Sequence, residues 1–166
     1  MSRSSTATVR ETPISEVSNV TAGGFTVRGE TLTVDTSERV QIVDLTEQVM
    51  AAVRSLGVRE GLVSLCSLHT TCCVFVNEYQ AALAADIRRF LEQFADRGAD
   101  WRHNDPGHSD CDRQNADSHL RALLLGHSLT LQLHNGEVVL GQWQRVLMGE
   151  LDGPRPRTLR LQVLGV

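Results

Sequence analysis

From Gly24 onward, polar and apolar residues alternate with the period of a strand: FTVRGETLTVDT, with a possible bend at 28–30. ERVQIVDLT then runs toward a helix start that Asp44 or Thr46 caps. Leu45, Val49, Ala52, Val53 and Leu56 recur at helical spacing, and Gly57 supplies the stop. Residues 62–76, LVSLCSLHTTCCVFV, form one unbroken β-type run between Gly61 and Asn77, which predicts a single central strand buried on both faces. In NEYQAALAADIRRFLEQFA, Asn77 is the expected N-cap, and Leu83, Ile87, Phe90, Leu91 and Phe94 make one apolar stripe. NADSHLRALLLG predicts a short helix with Leu120, Leu123 and Leu124 inward and Gly126 at its end. Two alternating runs flank His134-Asn135-Gly136, the strongest hairpin signal in the chain, and a turn at 150–154 precedes a last strand, TLRLQVLG. Strands and helices mix without regular alternation, so the expected class is α+β with largely antiparallel sheets.

At 166 residues and 41% hydrophobic content the chain suits one domain, residues 23–166, behind a loose polar tail at 1–22 that lacks the apolar centre of a signal peptide. A net charge of −4 leaves no basic footprint for nucleic acid, and no apolar run is long enough to span a membrane. All 16 basic residues are arginine, which excludes Schiff-base lysines and the Walker-type phosphate lysine; any phosphate must be held by Arg, His, hydroxyls, a metal or a helix N-terminus. The cysteines, Cys66, Cys72, Cys73 and Cys111, form no CxxC pair, and adjacent strand positions face opposite ways. Reduced thiols in a cytoplasmic protein are expected.

His69 in the central strand, His103 in the long polar loop at 97–113 and His119 on the short helix could supply three imidazoles to one metal with an open position. His108, His127 and His134 are read as solvated. Glu78, Asp86, Asp105, Asp112 and Glu150 are the acidic candidates; Asp86 lies close to the apolar stripe of its helix, either paired with Arg88 or Arg89 or serving a site. Arg155 offers a fork for phosphate and Trp143 a flat wall for a heteroaromatic ring; the bland alternatives are a core Trp143, with Arg155 and Arg157 in a solvated turn.

HTT followed by NE, Asp86, HND, NADSHL, LLLG, NG, LGQWQ and ELDGPRPR occur here in the order found in the YjbQ-like family, which the chain resembles from about residue 24 to its end. The resemblance implies a compact single-domain α+β sandwich that forms a homotrimer, with a metal pocket near the subunit contacts. It also implies thiamine-phosphate synthase activity, which joins a pyrimidine-methyl diphosphate to a thiazole phosphate and releases pyrophosphate. Carried over, the metal ligands fall on His69, His103 and His119, with Glu78, Asp86, Asn115 and Glu150 as acid–base groups or as partners that orient the imidazoles. His69 and Thr70 are expected to line the site where the central strand opens into it, and Arg155 and Trp143 to bind substrate. Three imidazoles favour zinc or another transition metal, whereas diphosphate chemistry favours magnesium on carboxylates. That mismatch keeps two alternatives in view: a metal-dependent hydrolase of a small phosphate or ester with Glu78 or Asp86 as base, and a non-enzymatic trimer that binds metal or anions.

Overall fold

The structure is a computed structural model that describes residues 24–166 together with the backbone of Thr8–Glu11 and Val20–Ala22. Those two stretches are strands β1 and β2, and both pair antiparallel with β3, Phe25–Asp35. They belong to the segment read as a loose tail, the remainder of which lies outside the described residues.

Next in order come β4 (Gln41–Asp44), α1 (Thr46–Leu56), β5 (Gly61–Ser67), β6 (Cys72–Asn77), α2 (Ala81–Phe94), α3 (Ala116–Leu125), β7 (Ser128–His134), β8 (Glu137–Val138), β9 (Arg145–Glu150) and β10 (Pro156–Gly165). One sheet runs β1-β3-β10-β5-β7-β8 with β2 also on β3, and a smaller one runs β4-β9-β6. Every pairing among the described residues is antiparallel, in line with the expected α+β class with largely antiparallel sheets.

Local chemistry places the elements. Asp44 Oδ1 accepts from the backbone N–H of Thr46 (2.9 Å) and from its hydroxyl (2.6 Å), so α1 starts where expected, and Gly57 ends it at φ 67°. Val49, Ala52, Val53 and Leu56 are buried, as their spacing predicts. Asn135 (φ 53°) and Gly136 (φ 81°) form the two-residue turn that joins β7 to β8.

The main core collects the inward residues of both sheets and α1, among them Val34, Val43, Val53, Leu65, Val74, Met148 and Leu161. The smaller sheet is covered on its other face too. Cys72 and Val74 point into the main core, while Cys73 meets Leu91 of α2 and Ala122 of α3 in a second cluster. Burial pushes the Cys72 and Cys73 thiols up to about 11 and about 12, so both behave as small hydrophobes.

Three sequence expectations are corrected. Residues 62–76 are two strands in different sheets, because the polar block at 67–71 turns the chain from β5 into β6. The α2 stripe is only partly covered: Leu91 alone is buried on that helix, Leu83 and Ile87 are half-buried, Phe90 and Phe94 face outward, and Gln80, whose side chain accepts from Leu83 N–H at 2.9 Å, is the N-cap in place of Asn77. On α3 the leucines face outward or lie half-buried, while Ala116, Asp117, Ser118, Arg121 and Ala122 are buried. Polar satisfaction decides that orientation, since each of those polar side chains has a partner inside.

Candidate functional site

The turn at 67–71 is fastened at several points. The Ser67 hydroxyl accepts from His69 N–H at 3.3 Å, Leu68 N–H donates to Thr158 O at 3.1 Å, and Thr158 N–H donates to His69 Nε2 at 2.7 Å. A backbone N–H can only donate, so Nε2 of His69 carries the lone pair and the neutral ring holds its proton on Nδ1. Burial first, then Arg157 and Arg155, hold this imidazole below the ordinary histidine value, with Glu150 opposing them in part.

Behind the turn stands a buried ion pair. Arg157 and Glu150 are both at most 1% exposed, and the guanidinium meets the carboxylate through Nε (2.6 Å) and Nη2. Thr36 Oγ1 (3.0 Å) and Asp152 N–H (2.8 Å) also donate to Glu150, and Arg157 Nη2 reaches the Thr71 hydroxyl at 3.0 Å. Glu150, a candidate acid–base group, therefore has its acceptor positions taken and acts by orienting Arg157 and Thr71.

Asp152 performs a similar task one turn on. Its carboxylate lies 2.8 Å from Arg39, 2.7 Å from Arg155 and 3.3 Å from Arg113, and it accepts from Asn115 Nδ2 at 2.8 Å. Burial alone would raise this carboxyl, but the Asn115 hydrogen bond and the three guanidinium groups reverse that and hold it below the usual range. Asp117 of α3 pairs with Arg121 at 3.1 Å and Arg39 at 3.4 Å, and Ser118 donates to Leu151 O at 2.5 Å. These bonds draw the polar face of α3 inward and set His119 at the rim.

All three candidate histidines line one cleft of about 380 Å³. Its other walls are Arg113, Arg155 and Arg157 with Leu68, Thr70, Thr71, Cys111 and Asn115; no carboxylate is among them. Thus His69, Thr70, His103, Asn115, His119 and Arg155 come together as expected. Glu78, Asp86 and Trp143 do not: all are exposed, Trp143 at 67%, and none lines the cleft. Asp105 does not accompany His103 either; it pairs with His108 at 2.7 Å.

Sequence reasoning missed Arg113, Thr71, Cys111 and the inward Arg157. The last was detectable: Arg157 shares the parity of Leu159, Leu161 and Val163, the buried positions of β10.

The rings of His103 and His119 meet edge to face, with centroids 5.0 Å apart. Burial and then His103 lower the His119 value, partly opposed by Asp152 and Asp117, so that ring is neutral at pH 7. Two imidazoles sharing a tetrahedral ion, with bonds of about 2.1 Å, also bring their centres to roughly 5 Å. The third expected ligand does not fit, because the Nε2 lone pair of His69 is engaged by Thr158 and its Nδ1 bears the proton. Among the described residues no three His, Cys, Asp or Glu side chains converge on a metal position.

Residues 30–166 match the family described as "UPF0047 protein YjbQ-like". A UPF0047 protein of Methanothermobacter thermautotrophicus is 42% identical over 78% of this chain and 87% of its own length, and one of Archaeoglobus fulgidus is 40% identical over 80% and 98%. Among solved structures, a protein of unknown function from Sulfolobus solfataricus superposes with a TM-score of 0.80 at 30% identity, covering 86% of this chain and 99% of that one. A hypothetical protein from Aeropyrum pernix gives 0.77 at 35% identity, covering 84% and 99%.

Proposed function

The chain belongs to the YjbQ-like UPF0047 family, and from that premise we propose that the cleft binds a phosphorylated small molecule and transfers its organic group with loss of pyrophosphate. The observation that carries this reading is the lining: three arginines and three histidines with no carboxylate among them. Such a surface receives di-anionic oxygens and would repel magnesium, so charge on a leaving diphosphate falls to side chains. Asp152 holds Nη2 of Arg155, and no described residue engages Nε or Nη1 of that guanidinium. His69 Nδ1–H and the Thr70 hydroxyl add neutral donors beside it.

The transfer that the family resemblance implies is the thiamine-phosphate synthase reaction. The ring nitrogen of a thiazole phosphate forms a bond to the methylene carbon of a pyrimidine-methyl diphosphate; the carbon–oxygen bond breaks and its electron pair leaves with pyrophosphate. No proton need move, which agrees with a cleft that holds no carboxylate base. Here the protein's work is alignment and stabilisation of the departing charge.

Binding of pyrophosphate by calorimetry tests this directly. Wild type should bind, and Arg155→Ala should bind about 10- to 100-fold more weakly, the loss of charge-assisted hydrogen bonds. No binding by wild type at millimolar pyrophosphate would overturn the reading.

A second reading rests on the 5.0 Å His103–His119 pair: a divalent transition metal, zinc foremost, held by those two rings, as a metal-dependent hydrolase of a small phosphate or ester or a non-enzymatic metal-binding protein would need. Metal content of wild type against His103→Ala and His119→Ala decides it. The proposed homotrimer is supported by Phe90, Phe94, Leu123 and Leu124, which present an apolar surface on α2 and α3. Any part for Glu78, Asp86 or Trp143 in the reaction would then come through a neighbouring copy; light scattering tests the assembly. No helix among the described residues is long and apolar enough to cross a membrane.

A further inference from the structure

A second cavity of about 300 Å³ adjoins the arginine-lined cleft, and the two share His103 and His119. Its remaining walls are Trp101, Arg102, Ala116 and Leu120, again with no carboxylate. We propose that this cavity is a subsite for the planar ring of a ligand whose anionic group lies against Arg155 in the neighbouring cleft. The inference rests on the anion-binding reading above and narrows it to ligands in which a ring and a phosphate are joined by a short link.

The walls are fixed. Trp101 Nε1–H donates to Asp96 O at 2.7 Å, which uses the polar edge of the indole and leaves its faces for packing. Asn104 Oδ1 accepts from Ala116 N–H at 3.0 Å and so ties the short helical turn carrying Arg102 and His103 to the first residue of α3. The lining becomes less polar across the shared wall, from three arginines on one side to a single one, Arg102, beside Trp101, Ala116 and Leu120 on the other. Between them the His103–His119 pair, at an interplanar angle of 85°, is an aromatic partition beside which a ring can stack. Ligand sites of this size are mostly apolar with a few convergent polar groups, and Trp101, Ala116 and Leu120 supply apolar wall of that kind beside the arginine-lined cleft.

Nothing in the sequence separates Trp101 from the polar loop around it, so the ring-binding role assigned from sequence fell on Trp143, which is exposed and away from both cavities.

The test compares phenyl phosphate with methyl phosphate, probes of the same charge that differ by a ring, by calorimetry on wild type, Trp101→Ala, Trp101→Phe and Arg155→Ala. Wild type should bind phenyl phosphate about tenfold more tightly or better. Trp101→Ala should erase that preference and leave methyl phosphate binding as it was, Trp101→Phe should keep most of it, and Arg155→Ala should weaken both probes alike. Equal affinity of wild type for the two probes would overturn the ring subsite and leave the anion reading standing; failure of both probes to bind would remove the anion reading and the subsite with it. Should Trp101→Ala not fold, the wild-type ratio and its retention in Trp101→Phe decide the matter.

Discussion

The molecule has two interiors built on opposite rules. Between the sheets and α1 lies an apolar one, filled by Val34, Leu65, Met148, Leu161 and their neighbours. Beneath the cleft lies a charged one, where Glu150 meets Arg157 and where Asp117 and Asp152 meet Arg39, Arg121 and Arg155. The apolar interior depends on volume and best tolerates apolar swaps that conserve it. The charged interior depends on completeness, since each group is stable only while its partner remains. Fold and site therefore have separate foundations, and substitutions can tell them apart.

The largest effect is expected where a charge loses its partner. Arg157→Met should lower stability by about 3–5 kcal/mol, read as a fall in urea midpoint at unchanged slope, because Glu150 stays buried without its cation. Adding Glu150→Leu should restore much of that while leaving the cleft misshapen; a double variant no more stable than the single one would show that the pair does not behave as a unit. Next comes overpacking between the two clusters. A Cβ on Gly149 would stand 2.5 Å from Cys73 Sγ, so Gly149→Ala should cost about 1–3 kcal/mol, and a Cys73→Ala partner should relieve it. Met148→Leu, fully inside the apolar interior, should cost less than about 1.5 kcal/mol; a loss as large as that of Arg157→Met would erase the distinction between the two interiors.

The smallest effect is a slope. His69 and His119 both sit below their ordinary value of 6.5, so the unfolded chain takes up these protons first. Their contribution is fully present above that value and is lost as pH falls toward the folded-state values. Thermal midpoints measured from about pH 8 down to about pH 5 should fall below about 6.5, and the fall should flatten in His69→Gln with His119→Gln. A double variant that keeps the parent's profile would show that neither imidazole carries the acid sensitivity in this window, because Asp152, held below its ordinary value of 3.8, loses its contribution only at lower pH.

The apolar interior was legible because periodicity reports it: α1, the 134–136 hairpin and β10 all follow from spacing alone. The charged interior was hidden by the same logic. On α3 the leucines Leu120, Leu123 and Leu124 argued for one face, whereas satisfaction of Asp117, Ser118 and Arg121 chose the other. In residues 62–76 an unbroken β-rich composition concealed a change of sheet, since composition does not register that Ser67 and His69 form a turn. The histidines could be gathered because their side-chain chemistry names them. The third metal bond could not be judged, because it turns on a single backbone donor, Thr158 N–H.

That turn has a mechanical consequence. Residues 67–71 are the joint at which one strand run passes from the large sheet to the small one, and the cleft opens on the joint itself. A ligand gripped there by Leu68 and Thr70 on the turn and by Arg155 just ahead of β10 is loaded across both sheets, so its occupancy should brace the whole sandwich against parting.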